Sequence, residues 1–109
     1  MSASLGDLEQ LVILAILRLG DDAFGASMQR EIESRTGRRV ALGALYTTLI
    51  RMEEKRLVRS HMSDPLPQRG GRKRRVYRVQ PRGQRALQAA LSAIYGMAEG
   101  MELRLSGGE

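Results

Sequence analysis

Six basic side chains, Arg69, Arg72, Lys73, Arg74, Arg75 and Arg78, fall within ten consecutive positions that contain no acidic residue. Like charge at this density repels itself, and contact with a run of phosphates is the chemistry that relieves it. A second set lies further forward. Arg38 and Arg39 precede a stretch, Leu42 to Arg56, in which Ala44, Thr47, Thr48, Arg51 and Lys55 share one helix face, with Gly43 and Tyr46 at its margin. Small residues let such a face approach another surface closely, and Thr and Arg hydrogen-bond base edges or phosphates. The bland description of this face is a solvated helix surface. Two short helices joined by a turn, the second carrying this face, favour recognition, because that is the layout of a helix-turn-helix.

Other chemistries are thinly provided. His61 is the single histidine, and with Ser60 and Asp64 close by it is better read as a surface residue of a strand than as part of a triad or a metal site. Asp21 and Asp22 read as helix caps rather than an acid/base pair. There is no phosphate-cradling loop, and Gly70-Gly71 marks a hairpin tip. The absence of cysteine excludes a disulfide scaffold, thiolate zinc ligands and a cysteine nucleophile. The expectation is a protein that is not an enzyme, with no catalytic residues, no metal site and no cofactor.

The elements that must position the basic residues come from a chain of 109 residues, enough for one small domain that buries about two-thirds of its unfolded surface. Its net charge of +6 is unevenly spread. Residues 1–34 hold two basic and six acidic side chains, residues 35–85 fifteen and three, and residues 86–109 one and three. A basic centre between acidic ends is not the pattern of a uniformly solvated surface, and it points to a polyanion as partner. The start of the chain has no basic stretch and soon turns acidic, and its longest apolar run, Leu11 to Leu17, is far too short to span a bilayer. A cytoplasmic protein with no membrane association is expected.

Apolar periodicity predicts a first helix from Leu5 or Gly6 to Leu19, with Leu8, Leu11, Val12, Ala15 and Leu19 on one face and Ile13, Ile16 and Leu17 on the other. A helix apolar on most sides must be covered on most sides, by its own domain or by a partner chain. Gly20 ends it. A second helix runs from about Phe24 to Thr36 and stops at Gly37. In the third, Leu42, Leu45, Leu49 and Met52 make the inward stripe. Residues 57–62 and 74–79 read as two strands of a hairpin around a long polar loop. Pro81 suits the first turn of a last helix reaching about Leu105. Leu87, Leu91, Ile94, Ala98, Met101 and Leu105 follow a short heptad seam there, and Gly96 and Gly100 beside it either permit close approach to another helix, the favoured reading, or mark a frayed end. With Leu11 and Leu14 of the first helix, Leu87, Leu91, Ile94, Ala98 and Met101 form the expected dimer interface. Tyr95, Met97 and Met101 could line a ligand pocket between protomers, although methionines at helical spacing are more often core.

The string Val40-Ala41-Leu42-Gly43-Ala44-Leu45-Tyr46-Thr47-Thr48-Leu49-Ile50-Arg51-Met52-Glu53-Glu54-Lys55-Arg56-Leu57-Val58 closely resembles the recognition-helix signature of the PadR family of bacterial transcriptional regulators. Leu5-Gly6-Asp7-Leu8-Glu9, Phe24-Gly25, and Gly71-Arg72-Lys73-Arg74-Arg75-Val76-Tyr77-Arg78-Val79 with Pro81 and Gly83 agree with it. The resemblance implies a mainly α fold with a small β-hairpin: a winged helix-turn-helix over residues 1–80 and a C-terminal dimerisation helix and tail over 81–109, in one compact unit, as in the short subfamily with a single C-terminal helix. It also implies a homodimer that binds a palindromic operator in double-stranded DNA, usually as a repressor, and in some members releases it when a small-molecule effector binds. Arg38, Arg39, Ala44, Tyr46, Thr47, Thr48, Arg51, Arg72, Lys73 and Arg74 are the expected DNA-binding residues. For Tyr46 the family pattern gives a phosphate contact, while its ring could equally pack on the second helix. Two departures stand out. Ala41 replaces a capping Ser, and Arg56 replaces a Gly ahead of the wing, so Arg56 must adopt a left-handed conformation or end the helix differently.

The competing reading is a non-specific basic nucleic-acid-binding protein, architectural or RNA-associated. With only Tyr77 interleaved among the wing arginines, a base-stacking platform has little support.

Overall fold

The computed structural model describes residues 5–64 and 73–102. Its six main elements follow the expected order: α1 Asp7–Leu19, α2 Gly25–Thr36, α3 Leu42–Glu54, β1 Val58–Met62, β2 Arg75–Val79 and α4 Pro81–Ala98, with a short 3-10 turn, Gly20–Asp22, after α1. Local chemistry explains the boundaries. The Gly6 N–H donates to Glu9 Oε1 at 2.8 Å, and the Phe24 N–H to Ser27 Oγ at 3.0 Å, so two helix starts satisfy backbone donors with third-position side chains. Gly37, with φ 73°, supplies the left-handed stop of α2. Ala41 is the cap residue of α3 and gives it no side-chain hydrogen bond.

Arg56 takes the left-handed conformation, φ 62°. The Leu57 N–H reaches back to the Met52 carbonyl at 2.9 Å and the Arg56 N–H to the Glu53 carbonyl at 3.0 Å, which is the Schellman closure usually built on glycine. Helix α3 therefore ends at Glu54 rather than Arg56, and the chain turns sharply into β1.

The core forms where α1, α2 and α3 meet the hairpin. Val12, Ile13, Met28, Leu45, Leu49, Met52 and Val58 are fully buried in it. The hairpin is antiparallel, with Val58 opposite Val79 and Met62 opposite Arg75. The Tyr77 N–H donates to the Ala23 carbonyl at 2.9 Å, and the Tyr77 ring lies in the core, so β2 is fastened to the turn after α1. Burial raises the Tyr77 phenol above its ordinary pKa, the nearby Arg75 opposing the shift. Gly83 fixes the start of α4, because a Cβ there would collide with the Leu57 carbonyl.

Three expectations change. Leu42 is 37% exposed, so the inward stripe of α3 begins at Leu45. Leu17 is exposed, while Ile13 and Ile16 join Val12 and Ala15 in the core, so α1 turns its covered side toward both of the faces read from its sequence. Helix α4 ends at Ala98, not Leu105: Glu99 is extended and Gly100 has φ 82°, which makes Gly100 a terminator. Gly96 has open space where a Cβ would stand, with no other part of the described residues against it.

Candidate nucleic-acid interface

Helix α3 is held by its buried stripe, and its other side is bare. Leu45, Leu49 and Met52 have no exposed surface, whereas Gly43, Ala44, Thr47, Ile50 and Arg51 are exposed and Thr48 is half-buried. The Thr47 hydroxyl donates to the Gly43 carbonyl at 3.0 Å and the Thr48 hydroxyl to the Ala44 carbonyl at 2.9 Å. Both hydroxyl protons are thus turned into the helix, leaving methyl groups and oxygen lone pairs outward.

The turn ahead of α3 is pinned by α2. Gln29 Nε2 donates to the Val40 carbonyl at 2.8 Å, and the Val40 N–H donates to Glu33 Oε2 at 3.2 Å. Val40 is buried, so Arg38 and Arg39 are displayed on a fixed turn, both exposed. Tyr46, 42% exposed, lies so close to the first turn of α2 that a Cβ on Gly25 would overlap its hydroxyl. The phenol thus packs on the second helix while part of Tyr46 stays exposed. That packing also accounts for Gly25, since no larger residue fits beneath the phenol.

At the root of the wing, the Arg74 guanidinium stacks over the Phe24 ring, 4.3 Å from its centroid, and the Arg74 N–H donates to Ser63 Oγ at 3.1 Å. Arg74, expected to neutralise phosphate, is half-buried and ties the ribbon to the start of α2. Lys73 beside it is exposed; Arg72 and Arg69 lie outside the described residues. Arg75 Nη1 donates to Ser60 Oγ at 2.9 Å, and Ser60 donates to Glu53 at 3.0 Å, linking the end of α3 to both strands.

Among the described residues three basic side chains are paired with acids. Arg35 pairs with Glu31, Arg78 with Asp21, and Lys55 with Glu9 at 3.2 Å. Lys55, placed on the outward face from its spacing, is engaged with α1. Arg38, Arg39, Arg51, Arg59 and Lys73 make no ion pair among the described residues. Arg59 was not among the expected contacts. It stands opposite Arg78 in the hairpin, where two like charges repel unless one is neutralised, as Asp21 does for Arg78. Ile50 was also missed; its only sequence signal is that it falls out of register with Leu45, Leu49 and Met52.

Of the residues expected at a dimer interface, Leu87 is buried in the core of its own chain, and Leu91 packs partly against that core. Leu87 therefore offers little to a partner. Leu11, Leu14 and Ala98 are half-buried, Ile94 is 55% exposed, and Met101 lies past the end of α4 with 62% exposure. Tyr95 and Met97 are exposed beside Ile94.

A three-helix core whose third helix is bare on one side, followed by an antiparallel ribbon, defines a winged helix-turn-helix of the kind that binds DNA. The chain belongs to the PadR-like family of transcriptional regulators, whose family model matches residues 13–89. Its fold is similar to that of a PadR family transcription regulator from hypervirulent Clostridium difficile, at 25% identity and TM-score 0.67, covering 82% of this chain and 88% of that one. It is also similar to a PadR-like transcriptional regulator from Bacillus cereus (21% identity, TM-score 0.66, 84% and 82% covered) and to a PadR family regulator from Eggerthella lenta (23%, 0.64, 86% and 81%). No curated protein sequence matches the chain. No described helix is long and apolar enough to cross a membrane.

Proposed function

We propose that this PadR-like regulator binds a palindromic operator in double-stranded DNA as a homodimer and represses transcription by occupying it. Each protomer lays α3 in a major groove and its wing along the flanking backbone, with half-sites about one helical turn, on the order of 34 Å, apart. The observation that carries this reading is the bare side of α3, small and polar and then basic, on a helix whose other side is fully buried. Arg38, Arg39, Arg51 and Lys73 stand ready for phosphates or base edges because no acid of the described chain engages them. Exposed Ile94, Tyr95 and Met97 on α4, with half-buried Leu11 and Leu14 on α1, are the apolar surface proposed for pairing. The same end of α4 is where a small-molecule effector would alter the spacing of the two reading helices.

The test is a gel shift on the DNA flanking the protein's own gene, with random duplex as competitor. A retarded band that survives excess random duplex and maps to an inverted repeat supports the reading. A band removed equally by random and flanking DNA favours the non-specific basic protein instead.

A further inference from the structure

The outward strip of α3 has a chemical character that its charge does not convey. Gly43, Thr47, Ile50 and Arg51 recur at i, i+4, i+7 and i+8 and so share one strip. Gly43 has open space where a Cβ would stand, so the strip can come close to what it faces. Ile50, 58% exposed, is a large apolar side chain displayed on the outside of a helix that already buries Leu45, Leu49 and Met52. Thr47 spends its hydroxyl proton on the Gly43 carbonyl at 3.0 Å, as Thr48 on the flank does on the Ala44 carbonyl at 2.9 Å. Each threonine therefore shows the outside a methyl group and a hydrogen-bond acceptor, and no donor. From Gly43 to Ile50 the strip offers methyl groups and acceptors; its donor is Arg51, one turn after Thr47.

The edges of base pairs answer this pattern unequally. In the major groove an A·T pair shows the thymine C5-methyl and the adenine N6 amino donor. A G·C pair shows the cytosine amino donor but no methyl; both pairs carry two acceptors, adenine N7 and thymine O4 against guanine N7 and O6, so the methyl is what sets A·T apart for a strip rich in methyl groups. Resting on the DNA-binding reading above, we propose that the strip of α3 from Gly43 to Ile50 selects A·T base pairs: the thymine methyl packs on Ile50 and the Thr47 methyl, and adenine N6 donates to the Thr47 hydroxyl oxygen. Arg51 lies outside this selection and serves the neighbouring step or the backbone.

The experiment begins with selection from duplexes randomised over about two helical turns, using the full chain, and continues with the enriched duplex resynthesised with uracil for thymine at one position at a time. Wild type is expected to lose about fourfold in affinity at one or two thymines per half-site, the effect of one buried methylene-sized group. Ile50→Ala, with its fold confirmed by circular dichroism, is expected to show a clearly smaller uracil penalty than wild type, the Thr47 methyl alone remaining against the thymine. Thr47→Val, which keeps the methyl and loses the oxygen, should retain the uracil penalty and lose its preference for adenine over 2-aminopurine, which lacks the N6 amino group. A uracil series with no effect at any position overturns the proposal, as does a full uracil penalty in Ile50→Ala. Enrichment of no duplex overturns the DNA-binding reading and this proposal with it, and is a different result from an enriched duplex indifferent to uracil.

Discussion

At the residue scale, the side chains that matter are separated by what they already hold. Arg51 is exposed and unengaged among the described residues, whereas Lys55, one turn further on, is bonded to Glu9. Arg51→Ala is expected to cost about 1–3 kcal/mol of operator binding if its contact is to a base edge, whereas Lys73→Ala should weaken all sequences alike and lower the salt slope by about one unit. Fluorescence anisotropy titrations at several salt concentrations separate the two effects. Arg56 is the residue most at odds with its backbone. A left-handed conformation costs a residue with a Cβ roughly 1–2 kcal/mol, and part of the relief from glycine is offset by the entropy of a freer unfolded chain. Arg56→Gly should therefore stabilise the fold by about 1 kcal/mol, read as a higher denaturant midpoint at unchanged slope. A lower midpoint would mean that the arginine side chain contributes more than its backbone conformation costs.

At the scale of elements, the first three helices were legible because glycine punctuates them: Gly20 and Gly37 stop α1 and α2 where the apolar periodicity ends, and Leu45, Leu49 and Met52 announce the buried side of α3. The hairpin followed from two short alternating runs around a polar loop. The end of α4 was not legible in this way. Its heptad spacing continues to Leu105, yet Glu99 is extended and Gly100 left-handed, since two glycines near the end weaken a helix and, among the described residues, nothing lies against either of them. Lys55 with Glu9 and Arg74 over Phe24 are pairings between distant segments, which local pattern does not encode; they decide which basic residues remain available. Two tests belong here. Gly83→Ala drives a methyl into the Leu57 carbonyl, which also accepts the Gln80 N–H at 2.9 Å, and should cost about 1–3 kcal/mol, seen as a lowered melting temperature. Tyr77, buried with a raised pKa, stabilises the fold while its phenol stays neutral. The unfolded phenol ionises first, near pH 10.0, so this contribution is intact below that pH and is lost as pH climbs through the higher folded-state value. Melting curves above pH 10.0 should fall more steeply for wild type than for Tyr77→Phe.

At the scale of the whole molecule, the net charge of +6 divides between a basic centre and two acidic ends, and the division matches the architecture. The centre builds the turn, α3, the wing and the first turn of α4; the ends build α1, most of α2 and the rest of α4, and exposed apolar residues of α1 and α4 are proposed to meet a second copy. Ile94 is a cleaner probe of that pairing than Leu91, which also packs on its own chain's core. Light scattering at micromolar concentration should give twice the 12.1 kDa of one chain for wild type and the single-chain mass for Ile94→Glu. Uncoupling the half-sites should weaken operator binding by about 10²–10⁴. Unchanged mass in the variant would move the interface elsewhere.

The central claim is sequence-specific binding of duplex DNA through the bare side of α3. Its most direct measurement is an anisotropy titration of wild-type protein against an inverted-repeat duplex obtained by selection and against a scrambled duplex of the same composition, at one physiological salt concentration. The account predicts binding to the inverted repeat at least about 10³-fold tighter than to the scrambled duplex. Equal affinity for the two would contradict it.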